Sequence, residues 1–578
     1  MFDPSLDEFD EDDFKDTETD APIDETLTKE KRKAIIADRI AQLKEPKPYV
    51  MKNSKKRLAI VDTETDPFDY GLIVKPFTLG FYDGERYVDF WGDDCVKQFF
   101  DYLTTLDDEY IIYAHNGGKF DFYFFLDHLD PEQTPLIMGG RLVKITFGGQ
   151  EFRDSYSIIP QALGSYQKEV VDYNLFKRET REQHKKLIMD YQKSDCVYTF
   201  DLIAGFHNMF GDKLTIASAA LPMLNSFTGF ERFNAGQDNL FRKFYFGGRN
   251  QCFETGIIKG DWKVYDRNSM YPAVMKDELH PVSNTYKLQH EFTDDTDFAC
   301  IDAINMGCLP TRDIDDGLDF TTKRGTFYAT GHEIRAGLDT GTLKILRVRH
   351  AWRFDRKASF SEFVDRFYNL RLDAKAKGDK VRDILYKFCL NSGYGKFALN
   401  PRKFKQWHFT VDEIPQPQYS EACKHGWQFH SQSGLVFIWY RADPRSGGYY
   451  NIATAASITG AARANLLRNL SLAVRPIYCD TDSIICNSFS GALNETALGG
   501  WKLEATGDCA AIGGKKLYAV FNHDEVIKKA SKGVRLEAHE IMAVCNGEEI
   551  TYKNPVPNFS LNGSAEFVTR RINRTGMI

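Results

Sequence analysis

A chain of 578 residues is too long for one hydrophobic core, so two or more domains are expected. Hydrophobic content of 42% and aromatic content of 14%, with 44 Phe and 28 Tyr, exclude a disordered protein. The net charge of -8 argues against a nucleic-acid partner only until it is located, because residues 1–25 hold 12 Asp and Glu against Lys15 alone, leaving 73 Lys and Arg against 70 Asp and Glu elsewhere.

Taken in chain order, the first element is an acidic leader of about residues 1–45, too polar to fund its own ordering and expected to be solvated. The basic runs Lys29–Lys33 and Lys55–Arg57 read as solvated faces. The pentapeptide DTETD occurs twice, at Asp16–Asp20 inside the leader and at Asp62–Asp66 directly after the apolar run RLAIV. Only the second follows a predicted strand, and a strand ending in Asp-x-Glu sets Asp62 and Glu64 on one face. Next come a hairpin around YDGERY, a strand YIIYA, a turn HNGG and a predicted helix KFDFYFFLDHL with Asp121 near its start. A second helix, MDYQKSDCVYTFDLIAGFH, carries Tyr191 and Asp195 at i and i+4, on one face. Four carboxylates from strand ends, a loop and a helix are how a cluster for two divalent cations is assembled.

Further along, WKVYDRNSMYPAVM is a strand reaching Asp266, then a turn and Tyr271. RPIYCDTDSIICN is a strand-turn-strand with Asp480 and Asp482 at its centre, and it predicts a second, independent carboxylate cluster opposite Asp266. Between them VRDILYKFCLNSGYGKF reads as a helix with Lys387, Asn391 and Tyr394 at i, i+4 and i+7 on one stripe. A polar, cationic stripe facing carboxylates suits a triphosphate complexed with Mg²⁺. Eleven Cys without C-x-x-C spacing argue against a zinc site or a disulfide framework and for a reducing compartment. No apolar run of 18 residues and no signal-peptide core occur, so no membrane partner is expected and a soluble, intracellular monomer is.

These segments resemble the motifs of family B DNA polymerases. DTE, HNGGKFD and YxxxD are similar to the three exonuclease motifs. DRNSMYP, KFCLNSGYG and YCDTDS are similar to the polymerase motifs DxxSLYP, KxxxNSxYG and YxDTDS. Met270 replaces the usual Leu, a swap of similar volume. Gly393 takes the variable place before Tyr394 and is expected to loosen the helix end.

The resemblance implies an α/β and α+β multidomain fold. A ribonuclease-H-like 3′→5′ exonuclease domain at about 50–215 would precede a right-hand polymerase domain at about 216–578. The latter would have palm insertions at about 296–360 and 400–446, fingers at about 361–398 and a thumb at about 530–578. It further implies two Mg²⁺ or Mn²⁺ ions per active site. Asp62, Glu64, Asp121 and Asp195 would hold one pair, and Asp266 and Asp482, supported by Asp480, the other. By the same resemblance Tyr191 orients water, Lys177 contacts the scissile phosphate, and His115, Asn116 and Phe120 grip a single-stranded 3′ end. Lys387 offsets triphosphate charge, Asn391 lies beside it, Tyr271 closes the pocket against a 2′-hydroxyl and Tyr394 packs on the incoming nucleotide. YFGG (Tyr245, Gly247, Gly248) corresponds to Y-x-G-G on the template, and KKLY (Lys516, Tyr518) to K-x-Y near the primer terminus.

The compact chain, LGGWKLE, IKKASKGV and the two insertions resemble the protein-primed branch of phages, adenoviruses and linear plasmids. The partners so implied are DNA template and primer, deoxynucleoside triphosphates and a terminal protein, in the host cytoplasm if phage-encoded. Two readings compete: a polymerase starting from an ordinary 3′-hydroxyl or without a primer, and a nuclease whose polymerase site is vestigial.

Overall fold

The computed structural model describes residues 56–66, 74–130, 132–161, 163, 172–314, 316–410, 423–442, 449–554, 558–561, 565, 566, 568–573, 576 and 577. The acidic leader, with Asp16–Asp20 and Lys29–Lys33, lies outside the described residues. Among those described, no helix is long and apolar enough to cross a membrane.

The run RLAIV becomes the centre of a seven-stranded sheet. Its strands are β1 (Arg57–Thr65), β2 (Pro76–Tyr82), β3 (Tyr87–Trp91), β4 (Tyr110–Ala114), β5 (Leu136–Met138), β6 (Arg141–Phe147) and β7 (Gln150–Asp154), in the order β3-β2-β1-β4-β7-β6-β5. β1, β4 and β7 run parallel, and the flanking strands pair antiparallel. The expected hairpin forms, with Tyr82 opposite Tyr87 and the Asp83 side chain accepting from the Glu85 and Arg86 amides. Helix α1 (Cys95–Thr105) connects β3 to β4, and α2 (Lys185–Phe210) packs against β1 and β2.

The helix expected at KFDFYFFLDHL is instead three 3₁₀ turns, Gly117–Lys119, Asp121–Phe124 and Leu126–His128. Phe122 and Phe125 are both fully buried at i and i+3, and a repeat of three suits the tighter helix.

A second seven-stranded sheet is wholly antiparallel. Its strands are β8 (Asn250–Cys252), β9 (Gly256–Arg267), β10 (Tyr478–Asp480), β11 (Ser483–Cys486), β12 (Trp501–Gly514), β13 (Leu517–Asn522) and β14 (Glu525–Ser531), in the order β14-β13-β12-β9-β11-β10-β8. Helices around it include α3 (Ile216–Thr228), α4 (Ala235–Arg242), α5 (Met270–Asp277), α6 (Gly331–Asp339), the antiparallel pair α7 (Ser361–Ala376) and α8 (Lys380–Ser392), α9 (Ile452–Leu470) and α10 (Ala538–Asn546). Where the first insertion was expected, strands Tyr286–Gln289, Leu343–Phe354, Phe298–Asn305 and Arg324–Thr330 form a sheet in that order. In the second, Lys405–Thr410, Val436–Ala442 and Gln428–Ser433 form another.

One apolar cluster joins the two sheets, running from Ile60 and Tyr113 through Leu202 and Phe206 to Leu385, Leu466 and Ile484. α2 and α8 approach closely at Gly205, where an added Cβ would lie 2.6 Å from Val381 Cγ1. The stripe Lys387, Asn391, Tyr394 is not wholly helical: α8 ends at Ser392 and the chain tightens to a 3₁₀ turn from Tyr394. Gly393 corrects its expected role. It keeps right-handed helical angles, and a Cβ there would meet Leu224 Cδ1 at 2.6 Å, so it admits α3 against the helix end rather than loosening it.

Candidate active sites

The strand period puts Asp62 and Glu64 at the end of β1, and α2 supplies Asp195 from above. Carboxylate oxygens of the three lie within 4.8 Å of one another. Asp121 stands outside that triangle, tied between its members: Thr63 donates to Asp121 Oδ1 from its amide (3.1 Å) and its hydroxyl (2.6 Å). Burial pushes the Asp121 carboxyl up to about 7, against the lowering effect of these bonds. Tyr191, one turn before Asp195 and buried, has its hydroxyl pushed up by burial and then by Glu64 and Asp195. The Arg178 amide donates to Asp66 Oδ2 at 3.1 Å, which holds the segment carrying Lys177 beside the end of β1.

The neighbouring loop is more structural than its sequence suggests. His115 uses both ring nitrogens, on Ser155 Oγ and the Gln161 carbonyl, each at 2.9 Å. Asn116 is left-handed (φ 64°) and its Oδ1 accepts from Arg141, which also pairs with buried Asp154 at 2.6 Å. Phe120 is half-buried and packs edge-on against Phe124 and Phe559.

The second cluster is built by strand register. Asp480 pairs with Ser483 across a tight turn, Ser483 with Asp266, and Asp266 with Lys502. At the turn Thr481 is left-handed (φ 51°), the Asp482 amide reaches the Asp480 carbonyl at 2.5 Å, and the Arg267 amide donates to the Asp482 carbonyl at 2.7 Å. Asp266 Oδ1 and Asp482 Oδ1 are buried and have no hydrogen-bond partner among the described residues. Burial, then the charges of Asp266 and Asp480, push the Asp482 carboxyl up to about 7. Burial and then Glu504 raise Asp266 too, although Lys502 Nζ lies 3.4 Å from its Oδ2.

Around this cluster Tyr271 and Tyr394 stack at 4.7 Å and 24°. Gly248 is where side chains would collide: a Cβ would sit 2.4 Å from Thr481 Oγ1 and 3.1 Å from the Tyr271 hydroxyl. Tyr245 is buried on the same segment, and the Gly247 carbonyl accepts from Arg463. Lys387 is lowered by burial and then by Arg371, while Asn391 Nδ2 donates to the Lys387 carbonyl at 2.9 Å. The Lys516 amide donates to the Tyr478 hydroxyl (3.1 Å), and the Tyr518 ring lies 4.8 Å from that of Tyr478.

Both donor sets consist of oxygen alone, which suits hard divalent cations such as Mg²⁺. The inward Asp266 and Asp482 oxygens in one site, and the close carboxylate triangle in the other, are arrangements that a cation relieves.

Three positioning residues escaped sequence reasoning. Gln192, fully buried, donates to the Asp62 carbonyl (3.0 Å) and accepts from the Thr78 hydroxyl (3.1 Å), locking α2 to β1 and β2. The Arg249 carbonyl accepts from the Thr481 amide at 2.7 Å, which joins the YFGG segment to the carboxylate turn. Arg463 pairs with Glu333 at 2.8 Å, both side chains 1% exposed, and also donates to the Phe246 and Gly247 carbonyls. The one signal for it is a lone Arg in the otherwise small and apolar IATAASITGAARANLL.

A carboxylate-bearing sheet with a parallel centre is thus followed along the chain by an antiparallel sheet that carries three aspartates at one turn and the facing strand. The sequence profile described as DNA polymerase type B, organellar and viral matches residues 50–440. The chain is 42% identical over 556 residues to the DNA-directed DNA polymerase of Enterobacteria phage PRD1, covering 91% of this chain and 99% of that one. It is 25% identical over 311 residues to the DNA polymerase of Bacillus phage phi29, 48% of each chain. Its fold is similar to that of Phi29 DNA polymerase complexed with primer-template DNA, with a TM-score of 0.67 and 17% identity over 90% of this chain and 100% of that one. The chain belongs to the organellar and viral type B DNA polymerase family, which its likeness to the PRD1 enzyme supports. It is a DNA-directed DNA polymerase whose architecture is a ribonuclease-H-like exonuclease fold followed by palm, fingers and thumb.

Proposed function

We propose that this polymerase couples template-directed synthesis at Asp266, Asp480 and Asp482 with 3′→5′ proofreading at Asp62, Glu64, Asp121 and Asp195. The genome copied is a linear viral or plasmid DNA, primed by a terminal protein and replicated with strand displacement. The supporting observation is the presence of two separate oxygen-only carboxylate clusters on two sheets of one chain. The branch that includes the PRD1 and phi29 enzymes supports protein priming.

Two Mg²⁺ or Mn²⁺ ions in each site would supply Lewis acidity, activating the attacking oxygen and steadying the leaving one. Asp266 would hold the synthetic pair from β9 and Asp482 from the turn between β10 and β11, with Asp480 at the strand end that enters that turn supporting them. Lys387 offsets triphosphate charge from the fingers. Tyr271, stacked on Tyr394, would close the pocket against a 2′-hydroxyl, and Tyr394 would back the incoming nucleotide. Asn391 fixes the helix turn below Lys387. Lys516 and Tyr518 lie along the primer terminus, and the YFGG segment along the template.

At the second site Tyr191 orients water and Lys177 approaches the scissile phosphate. Asn116 and Phe120 border the single-stranded end, and His115 holds their loop through Ser155 and Gln161. Residues 50–215 thus serve proofreading and 216–578 synthesis.

Separation of the activities tests this reading. Asp482→Ala lowers primer extension by about 100-fold or more, as expected for loss of a preorganised group at developing charge, and leaves degradation intact. Asp62→Ala with Glu64→Ala does the reverse. Extension undiminished in Asp482→Ala contradicts the assignment of the synthetic site.

A further inference from the structure

Residues 172–184 lead into α2 as a strap of turns beside the end of β1: a 3₁₀ turn at Tyr173–Phe176, then further turns that carry Lys177. A strap has no strand ladder to fix it, so its side chains must place Lys177. Three grips do so. Phe176 is fully buried, with its ring edge-on to Phe77 at 5.9 Å and to Tyr191 at 6.0 Å. Those three rings and Ile188 form a small apolar cluster of their own, against which Trp91 and Leu175 pack. On the other side of Lys177, the Arg178 amide donates to Asp66, two residues beyond Glu64.

The third grip is Arg181. Its amide donates to the Lys177 carbonyl at 2.9 Å, its guanidinium lies 4.6 Å from the Phe77 ring centre, and it pairs with Asp93 at 3.3 Å. With its side chain 12% exposed, the cation is kept largely from water over the ring that also backs Phe176, where its attraction to the ring is strongest. Beside it Glu182 accepts from the Trp91 indole N–H at 2.8 Å, and Trp91 stands edge-on to Phe77 at 5.3 Å. The side-chain contacts of Arg181 thus go to Phe77 and Asp93, not to Asp62, Glu64, Asp121 or Asp195, so its influence on that site passes through the strap.

We propose that Arg181 is a positioning residue for the exonuclease: seated on Phe77, it fixes the strap so that Lys177 reaches the scissile phosphate while Tyr191 orients the water. This rests on the proofreading role given to Asp62, Glu64, Asp121 and Asp195. A charged group that must meet a phosphate at one point gains its effect from being held there beforehand.

The test uses the full chain and a 5′-labelled single-stranded oligonucleotide with Mg²⁺ and no deoxynucleotides, the shortening rate being measured across DNA concentrations and primer extension alongside. Arg181→Ala lowers the rate at saturating DNA by about 10-fold, with half-saturation within about 2-fold of wild type and extension unchanged. Arg181→Lys keeps a cation for Phe77 but loses the fork toward Asp93, and recovers part of the rate. In Lys177→Ala the strap has nothing left to deliver, so adding Arg181→Ala costs less than about 2-fold more. An unchanged rate, a change confined to half-saturation, or a full further loss in Lys177→Ala overturns the proposal. If Arg181→Ala loses extension as well, Asp93→Ala decides, since that side chain is 74% exposed and its loss leaves the fold intact. It slows shortening by about 3-fold in the wild type and not in Lys177→Ala, and equal effects in both overturn the proposal. A wild type that does not shorten the single strand defeats the proofreading reading, whereas shortening with independent losses defeats only this one.

Discussion

Burial pushes the carboxyls of Asp121 and Asp482, one at each site, up to about 7. At pH 6 both hold a proton that a cation must displace, and at pH 9 neither does. Mg²⁺ binding is therefore predicted to release protons, with apparent affinity falling as pH drops through about 7. Titrating Mg²⁺ into weakly buffered protein at pH 6 and pH 9 checks this: release at pH 6 and almost none at pH 9 is expected, and equal release at both contradicts the assignment of these carboxyls to the cation sites. At this scale the carboxylates were legible in the sequence through their combination and order, since Asp-x-Glu arises by chance in an acidic chain and Asp-Thr-Asp alone could be a plain turn. Gln192 was not legible, since a Gln between Tyr191 and Asp195 gives no sign in one dimension that it faces two strands.

At the scale of elements, α9 holds the polymerase together from inside, with all but three of its residues buried. Its Arg463 is matched by Glu333, whose carboxylate also accepts from the Thr330 amide and hydroxyl at the start of α6. Removing one partner of a buried pair leaves an uncompensated charge, so Glu333→Ala is predicted to destabilise the protein by about 3–5 kcal/mol. Arg463→Met with Glu333→Leu is predicted to restore most of that stability, read from the urea midpoint. A single-variant midpoint equal to wild type contradicts the account. Elements with a clear period were legible: β1, β4, α2 and α8 follow their apolar runs. The 3₁₀ turns after His115 were not, because closely spaced aromatics fit a period of 3.6 and a period of 3 equally well until their partners are known. Gly393 was misread for a related reason, as its neighbour Leu224 is distant in sequence.

Across the whole molecule, one apolar cluster spans the two sheets, so the two carboxylate sites are held in a fixed relation through α2, α8 and α9. That joint core was hidden in the sequence, where the two modules read as separate stretches with their own motifs, whereas their order along the chain was plain. A shared apolar core under both clusters suits the proofreading proposed for this polymerase, and the central claim is that both clusters act on the same DNA end. The most direct test is a 5′-labelled primer annealed to a longer template, incubated with Mg²⁺ and resolved on a gel with and without deoxynucleotides. The account predicts extension when they are present and shortening when they are absent. Shortening in both lanes would contradict it, leaving Asp266, Asp480 and Asp482 without the nucleotidyl transfer assigned to them.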